Sequence, residues 1–107
     1  MRGWRGTAAL ICLAAGACFP RETVSIGASD PMNSIPAIQA AARDKNYKAI
    51  PALVRQLDND DPAIRFYVIG ALHELTGQTF EYRYYDEAQQ RKPAVDRWRQ
   101  WVKERRQ

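Results

Sequence analysis

Cysteine is almost missing from this 107-residue chain: Cys12 and Cys18 are the only two, and both lie near the start. Everything after residue 18 is therefore without a disulfide framework, and neither a zinc ribbon nor a C-x-x-C redox motif can be built there. Histidine is scarcer still, with His73 alone. One imidazole with no second histidine and no thiol in the same domain supplies neither a metal-ligand set nor a nucleophile and base. Glu74 is its sequence neighbour, but on a helix it points about 100° away. The six glycines are scattered and form no phosphate-cradling loop. No apolar run approaches the roughly 20 residues that span a bilayer. The expectation from these absences is a protein with no catalytic residue, no cofactor and no metal site.

The first eighteen residues read as an address. "MRGWRGTAALICLAAGAC" carries Arg2 and Arg5, then an apolar core from Ala8 to Ala15, then the small residues Gly16 and Ala17 before Cys18. That is the order of a secretory signal, and it assigns residues 1–17 to a signal peptide. The segment "LAAGAC" resembles the lipobox of bacterial lipoproteins, which implies lipidation at Cys18 as the first residue of the mature chain. Ala15 stands where that family usually has leucine, and ordinary secretion after cleavage nearby is the alternative. In the same resemblance, Phe19 in place of an aspartate implies the outer membrane where the host has two. Buried acyl carbons hold a protein to a membrane at about 0.8 kcal/mol per CH₂. Cys12 follows Ile11 and reads as apolar filler.

Losing the leader also changes the charge. The chain has 16 basic and 12 acidic residues. Without Arg2 and Arg5, 14 basic groups face 12 acidic ones and the net charge falls from +4 to +2. The excess sits at the end, in Arg91, Lys92, Arg97, Arg99, Lys103, Arg105 and Arg106. Such a helix either binds polyanions or is a solvated face whose last-turn cations complement the helix dipole. Residues 18–33, with "FPRETVSIGASDPMN", show no trustworthy period and read as a tether.

From residue 34 to 107 the periodic segments are all helical, so the expected class is all-α, with about four helices. "SIPAIQAAARDKN" opens with Ser34 as a cap and Pro36 in the first turn, and sets Ile35, Ile38, Ala41 and Ala42 on one face. Ile50, Leu53, Val54 and Leu57 recur at i, i+3, i+4, i+7, with Pro51 limiting the first turn or kinking the helix. Ile64, Val68, Ala71, Leu72 and Leu75 mark a third helix, flanked by a strip of Phe66, Ile69 and His73. Asp60 or Asp61 caps it, and Gly77 stops it. Between these two helices, "LDNDDPAIR" lacks the alternating ligands and bend glycine of a calcium loop. It reads as a turn.

A helix ending "VRQLDND", a short "DPAIR" turn and a second helix ending "ALHELTG" together resemble the HEAT-like repeat family. Pro51, Leu53, Val54, Leu57, Asp61, Pro62, Ile64, Arg65, Ala71, Leu72 and Leu75 carry the likeness. Such repeats stack to bury a shared core. Only one full repeat, residues 46–77, and the helix before it are visible, so the stack needs a cap. "VDRWRQWVKER" supplies one, with Val95, Trp98, Trp101 and Val102 near helical spacing. The "LTG" stop, Phe80, Tyr82, Arg97 and Trp98 resemble the end of small bacterial proteins of that family. Glu81 and Arg83–Tyr85 depart from the glycine and acidic residues usual there.

The aromatic loop "FEYRYYDE" has two readings. Phe80 and Tyr82 are expected to fill the gap between the repeat and the last helix. Tyr84, Tyr85, Arg83 and, on the last helix, Trp101 are the candidate partner-binding residues, since Tyr, Trp and Arg are enriched in interface hot spots. The leading functional expectation is a non-enzymatic, exported, lipid-anchored module that binds a protein in the cell envelope. A short stack is also able to complete itself with a second copy. The alternative is a small basic intracellular protein that sets its C-terminal helix on nucleic-acid phosphates and stacks Trp98 and Trp101 on bases; export removes that partner.

Overall fold

The computed structural model describes residues 25–106. The signal segment, Cys12, Cys18 and the first part of the tether lie outside the described residues. What is described is all-α, with four helices and no strand.

Helix α1 runs from Pro31 to Arg43. Its cap is Asp30, whose Oδ1 accepts from the Met32 N–H at 3.0 Å, with Pro31 in the first turn. Ser34 is therefore not the cap: it lies one turn inside, fully buried, and its N–H donates to the Asp30 carbonyl at 3.1 Å. Two cap-and-proline signals compete here, Asp30-Pro31 and Ser34 with Pro36. The earlier one wins because it lets Ile35 and Ile38 pack while Ser34 turns inward. Residues 31–33 thus belong to the helix, and the tether ends three residues sooner than expected. Pro36 leaves the Met32 carbonyl without a helical donor, on a residue that is exposed to water.

Lys45, in left-handed conformation (φ 52°), reverses the chain. A 3-10 turn at Tyr47–Ala49 leads into the short helix α2, Ile50–Arg55, which ends in another 3-10 turn, Gln56–Asp58. Pro51 occupies the first turn of α2, where its missing N–H costs nothing, so no kink is needed. The acidic stretch that follows is a turn built by its side chains. Asn59 Oδ1 accepts from Asp61 N–H at 2.8 Å, and Asp61 Oδ1 caps helix α3, Pro62–Thr76, through the Ala63 N–H at 2.9 Å. Gly77, at φ 77°, closes α3 by donating to the His73 carbonyl. A loop then leads to helix α4, Ala88–Arg105, which opens with a reciprocal capping box between Glu87 and Gln90.

In the stack, α1 packs along α3, while α2 packs on both α3 and α4. Ile38, Leu53, Leu57, Ile64, Val68, Leu72, Val95 and Trp98 are all at most 2% exposed and form one continuous core. Trp98 closes it from α4, with Trp101 and Val102 partly buried at the rim. A helix pair that cannot bury its own face is thus completed on one side by α1 and on the other by α4.

Candidate functional site

The segment from Thr79 to Asp86 is held at both ends and in the middle by buried donors. Arg65, from the "DPAIR" turn, is itself buried and spends its guanidinium on three carbonyls: Nε on Tyr84 at 2.9 Å, and Nη1 on Asn59 at 2.7 Å and Asp60 at 3.0 Å. Tyr82 is buried and donates its hydroxyl to the Leu57 carbonyl at 2.7 Å. Burial pushes that phenol up to about 12, a rise only partly offset by the nearby Arg91 and Arg65. Arg91 Nη1 donates to the Asp86 carbonyl at 2.7 Å, and Trp98 Nε1–H to the Thr79 carbonyl at 3.1 Å. Tyr82 is thus inside as expected, while Phe80 is half-buried and sits edge-on against Trp98, with ring centres 4.8 Å apart.

The tight bend in this loop spans Thr79 to Tyr82, closed by a 3.1 Å bond from the Tyr82 N–H to the Thr79 carbonyl. Its two central residues, Phe80 and Glu81, both have positive φ, 54° and 63°. That is the geometry of a type I′ turn, which glycine and asparagine favour. The chain holds two unsuited residues there because Phe80 must reach Trp98 and because Tyr82 and Arg65 fix the strand of loop beyond.

Two rings of α3 and two of this loop form a ladder of four. Tyr67 meets Phe66 at 5.2 Å, Phe66 meets Tyr84 at 5.1 Å, and Tyr84 meets Tyr85 at 5.2 Å, each edge to face. Phe66 is 49% exposed and Tyr85 67%, so the ladder has an open end. It borders a cleft of about 660 Å³ between α1 and α3, lined by Gln39, Ala42, Phe66, Ile69, His73 and Tyr84 among others. His73 is exposed at this edge. Of the expected binding residues, Tyr85 lies at the exposed end of the ladder and Tyr84 is half-buried against the core. Arg83 lies beside them, paired with Asp86 at 3.0 Å, and the hydrogen bond to that carboxylate raises its pKa further.

Trp101 does not join this group. It sits thirteen residues into α4, roughly 20 Å along the axis from the loop, next to Tyr47, Ile50, Pro51 and Val102. Conversely, Phe66 and Tyr67 belong to the ladder and were not among the expected binding residues. A signal for Phe66 existed: at 100° per residue it lies about 160° from both Ile64 and Val68, which are core residues, so it faces solvent.

The basic helix has mostly spent its charge. Arg99 bonds Asp58 at 2.6 Å, Lys92 bonds Asp96 at 2.9 Å, and Arg97 lies 3.5 Å from Glu81. Trp98 is fully buried and is not available to stack on a base. Among the described residues no cluster of three or more His, Cys, Asp or Glu side chains is placed to hold a metal ion, and no helix is long and apolar enough to cross a membrane. Compared with known proteins, the chain matches no family model, no curated protein and no solved structure.

Proposed function

We propose that this chain is an exported, lipid-anchored module of HEAT-like helical repeats that binds a protein in the cell envelope. The observation that carries the binding part is the ring ladder Tyr67–Phe66–Tyr84–Tyr85, half open to solvent beside an apolar cleft. A loop whose backbone is pinned by Arg65, Tyr82 and Arg91 presents those rings with little conformational freedom left to lose on binding, which favours affinity. Large aromatic side chains on such a support are the usual anchors of protein interfaces. The anchoring part rests on the sequence of the leader and on Cys18. The tether supports the same reading: an extended chain spans at most about 3.6 Å per residue, so the twelve residues between Cys18 and Pro31 hold the domain within a few nanometres of the membrane.

The binding part is tested in cells with a photo-crosslinking amino acid placed at Tyr85, and separately at Lys92 on the exposed face of α4. The expected outcome is a discrete crosslinked species at position 85, absent at 92, that disappears when Phe66 and Tyr84 are both replaced by alanine. No crosslink at 85, or equal crosslinking at both positions, contradicts the assignment of the ladder as the contact surface.

A further inference from the structure

A separate recess lies at the far end of α4 and shares no lining residue with the aromatic cleft. It has a volume of about 610 Å³ and is formed by Tyr47, Lys48, Ile50, Pro51, Trp101, Val102, Arg105 and Arg106. Its floor is apolar: Ile50 is buried, and Trp101 and Val102 are partly buried against the core. Its rim is cationic, and no carboxylate lines it. The Arg105 guanidinium stacks on Trp101, 4.3 Å from the ring centre. Stacking occupies the face of the guanidinium and leaves its N–H edge free.

Lys92, Arg97 and Arg99 have carboxylate partners, whereas the rim cations Lys48, Arg105 and Arg106, like Lys103 outside the recess, have none among the described residues. Trp101 Nε1–H makes no hydrogen bond among the described residues and is open to water, so it is free to donate to a bound anion. Three exposed cations and an indole N–H around an apolar floor whose lining has no acidic residue match a ligand that is apolar at one end and anionic at the other.

We infer that this recess binds a small anionic amphiphile, a free carboxylate or phosphate monoester carried on an apolar chain. The chain packs on Trp101, Ile50, Pro51 and Val102, and the head takes Arg105, Lys48 and the indole N–H. The volume falls in the range of small-molecule pockets, and the concave shape suits a free ligand over a bilayer surface. Helix-dipole compensation by Arg105 and Arg106 accounts for their place in the last turn, but not for Lys48, which comes from the turn before α2 and faces the same apolar floor.

The test uses the full chain in phosphatidylcholine nanodiscs, reading the indole ¹⁵N–¹H signals of its three tryptophans, with Trp4→Phe and Trp101→Phe assigning those two and leaving Trp98. Hexanoate, hexyltrimethylammonium, hexanol and acetate are titrated in turn. The expected result is a saturable shift of the Trp101 signal with hexanoate, about tenfold weaker or absent with the other three. The paired substitutions Lys48→Gln and Arg105→Gln weaken hexanoate about tenfold or more, with the Trp98 signal unmoved as evidence of an intact fold. Equal response to hexanoate and hexyltrimethylammonium, or no saturable response to any of them, overturns the inference. A Trp101 shift produced by phosphatidylglycerol nanodiscs with no added hexanoate overturns the free-ligand assignment and points to a lipid headgroup.

Discussion

Replacing Trp98 by alanine removes a side chain that is 0% exposed and belongs to the continuous core. Truncating a buried tryptophan costs about 3–5 kcal/mol through lost transfer energy and the cavity left behind. The edge-on contacts with Phe80 and Trp101 add roughly 0.5–1.5 kcal/mol. The bond from Nε1–H to the Thr79 carbonyl adds about 1 kcal/mol. A domain of this size draws no more than about 3–5 kcal/mol from a single core, so Trp98→Ala is expected to be largely unfolded at 25 °C without denaturant. Trp98→Phe keeps most of the ring volume and loses the hydrogen bond and some packing, for a cost of about 2 kcal/mol. Urea titrations followed by far-ultraviolet circular dichroism measure both, with the phenylalanine variant giving the quantitative value. A Trp98→Ala variant that melts like wild type would refute the placement of this residue at the centre of the core and return it to the surface.

Three further expectations follow from single residues. Ser34 buries a hydroxyl oxygen that has no hydrogen-bond partner, so Ser34→Ala is expected to be neutral or stabilising, while Asp30→Ala costs about 1 kcal/mol; thermal melts that rank them the other way would restore Ser34 as the cap. Glu81→Gly relieves a residue held at φ 63° and gains about 1 kcal/mol, since the exposed pair with Arg97 at 3.5 Å contributes little; a lowered Tm would show that the turn is not strained there. Tyr82 keeps its proton to about pH 12 when folded and to about 10 when unfolded, so its contribution is fully present below pH 10 and is lost as pH rises towards 12. Urea titrations at intervals across that window should show wild type losing stability more steeply than Tyr82→Phe, and parallel curves would remove Tyr82 as the cause.

Most of the fold could be read from spacing alone, because one face of each helix is apolar at a regular interval and few other patterns compete. Ile50, Leu53, Val54 and Leu57, and likewise Ile64, Val68, Ala71, Leu72 and Leu75, are all buried as their periods require. The turn between them was legible because Asp61 and Pro62 have strong and specific preferences. The start of α1 was not, since two cap-and-proline signals four residues apart are locally equivalent and only tertiary packing decides between them. The start of α4 was hidden as well: Pro93 lies inside the helix, and the Glu87–Gln90 capping box is upstream of any apolar repeat. The candidate site was half legible. Tyr84 and Tyr85 were visible as loop aromatics, but their meeting with Phe66 depends on Arg65 gripping the Tyr84 carbonyl nineteen positions away. No local pattern encodes that bond, and none separates Trp101 from the loop until the length of α4 is known.

Export and anchoring decide where a partner is to be sought, so the most direct measurement is fractionation of cells expressing the native chain, with intact mass of the product, for wild type and Cys18→Ser. The expected result is a membrane-bound wild type that begins at a lipid-modified Cys18, and a variant that is unprocessed or released from the membrane. A full-length, unmodified wild type in the cytoplasmic fraction would contradict it.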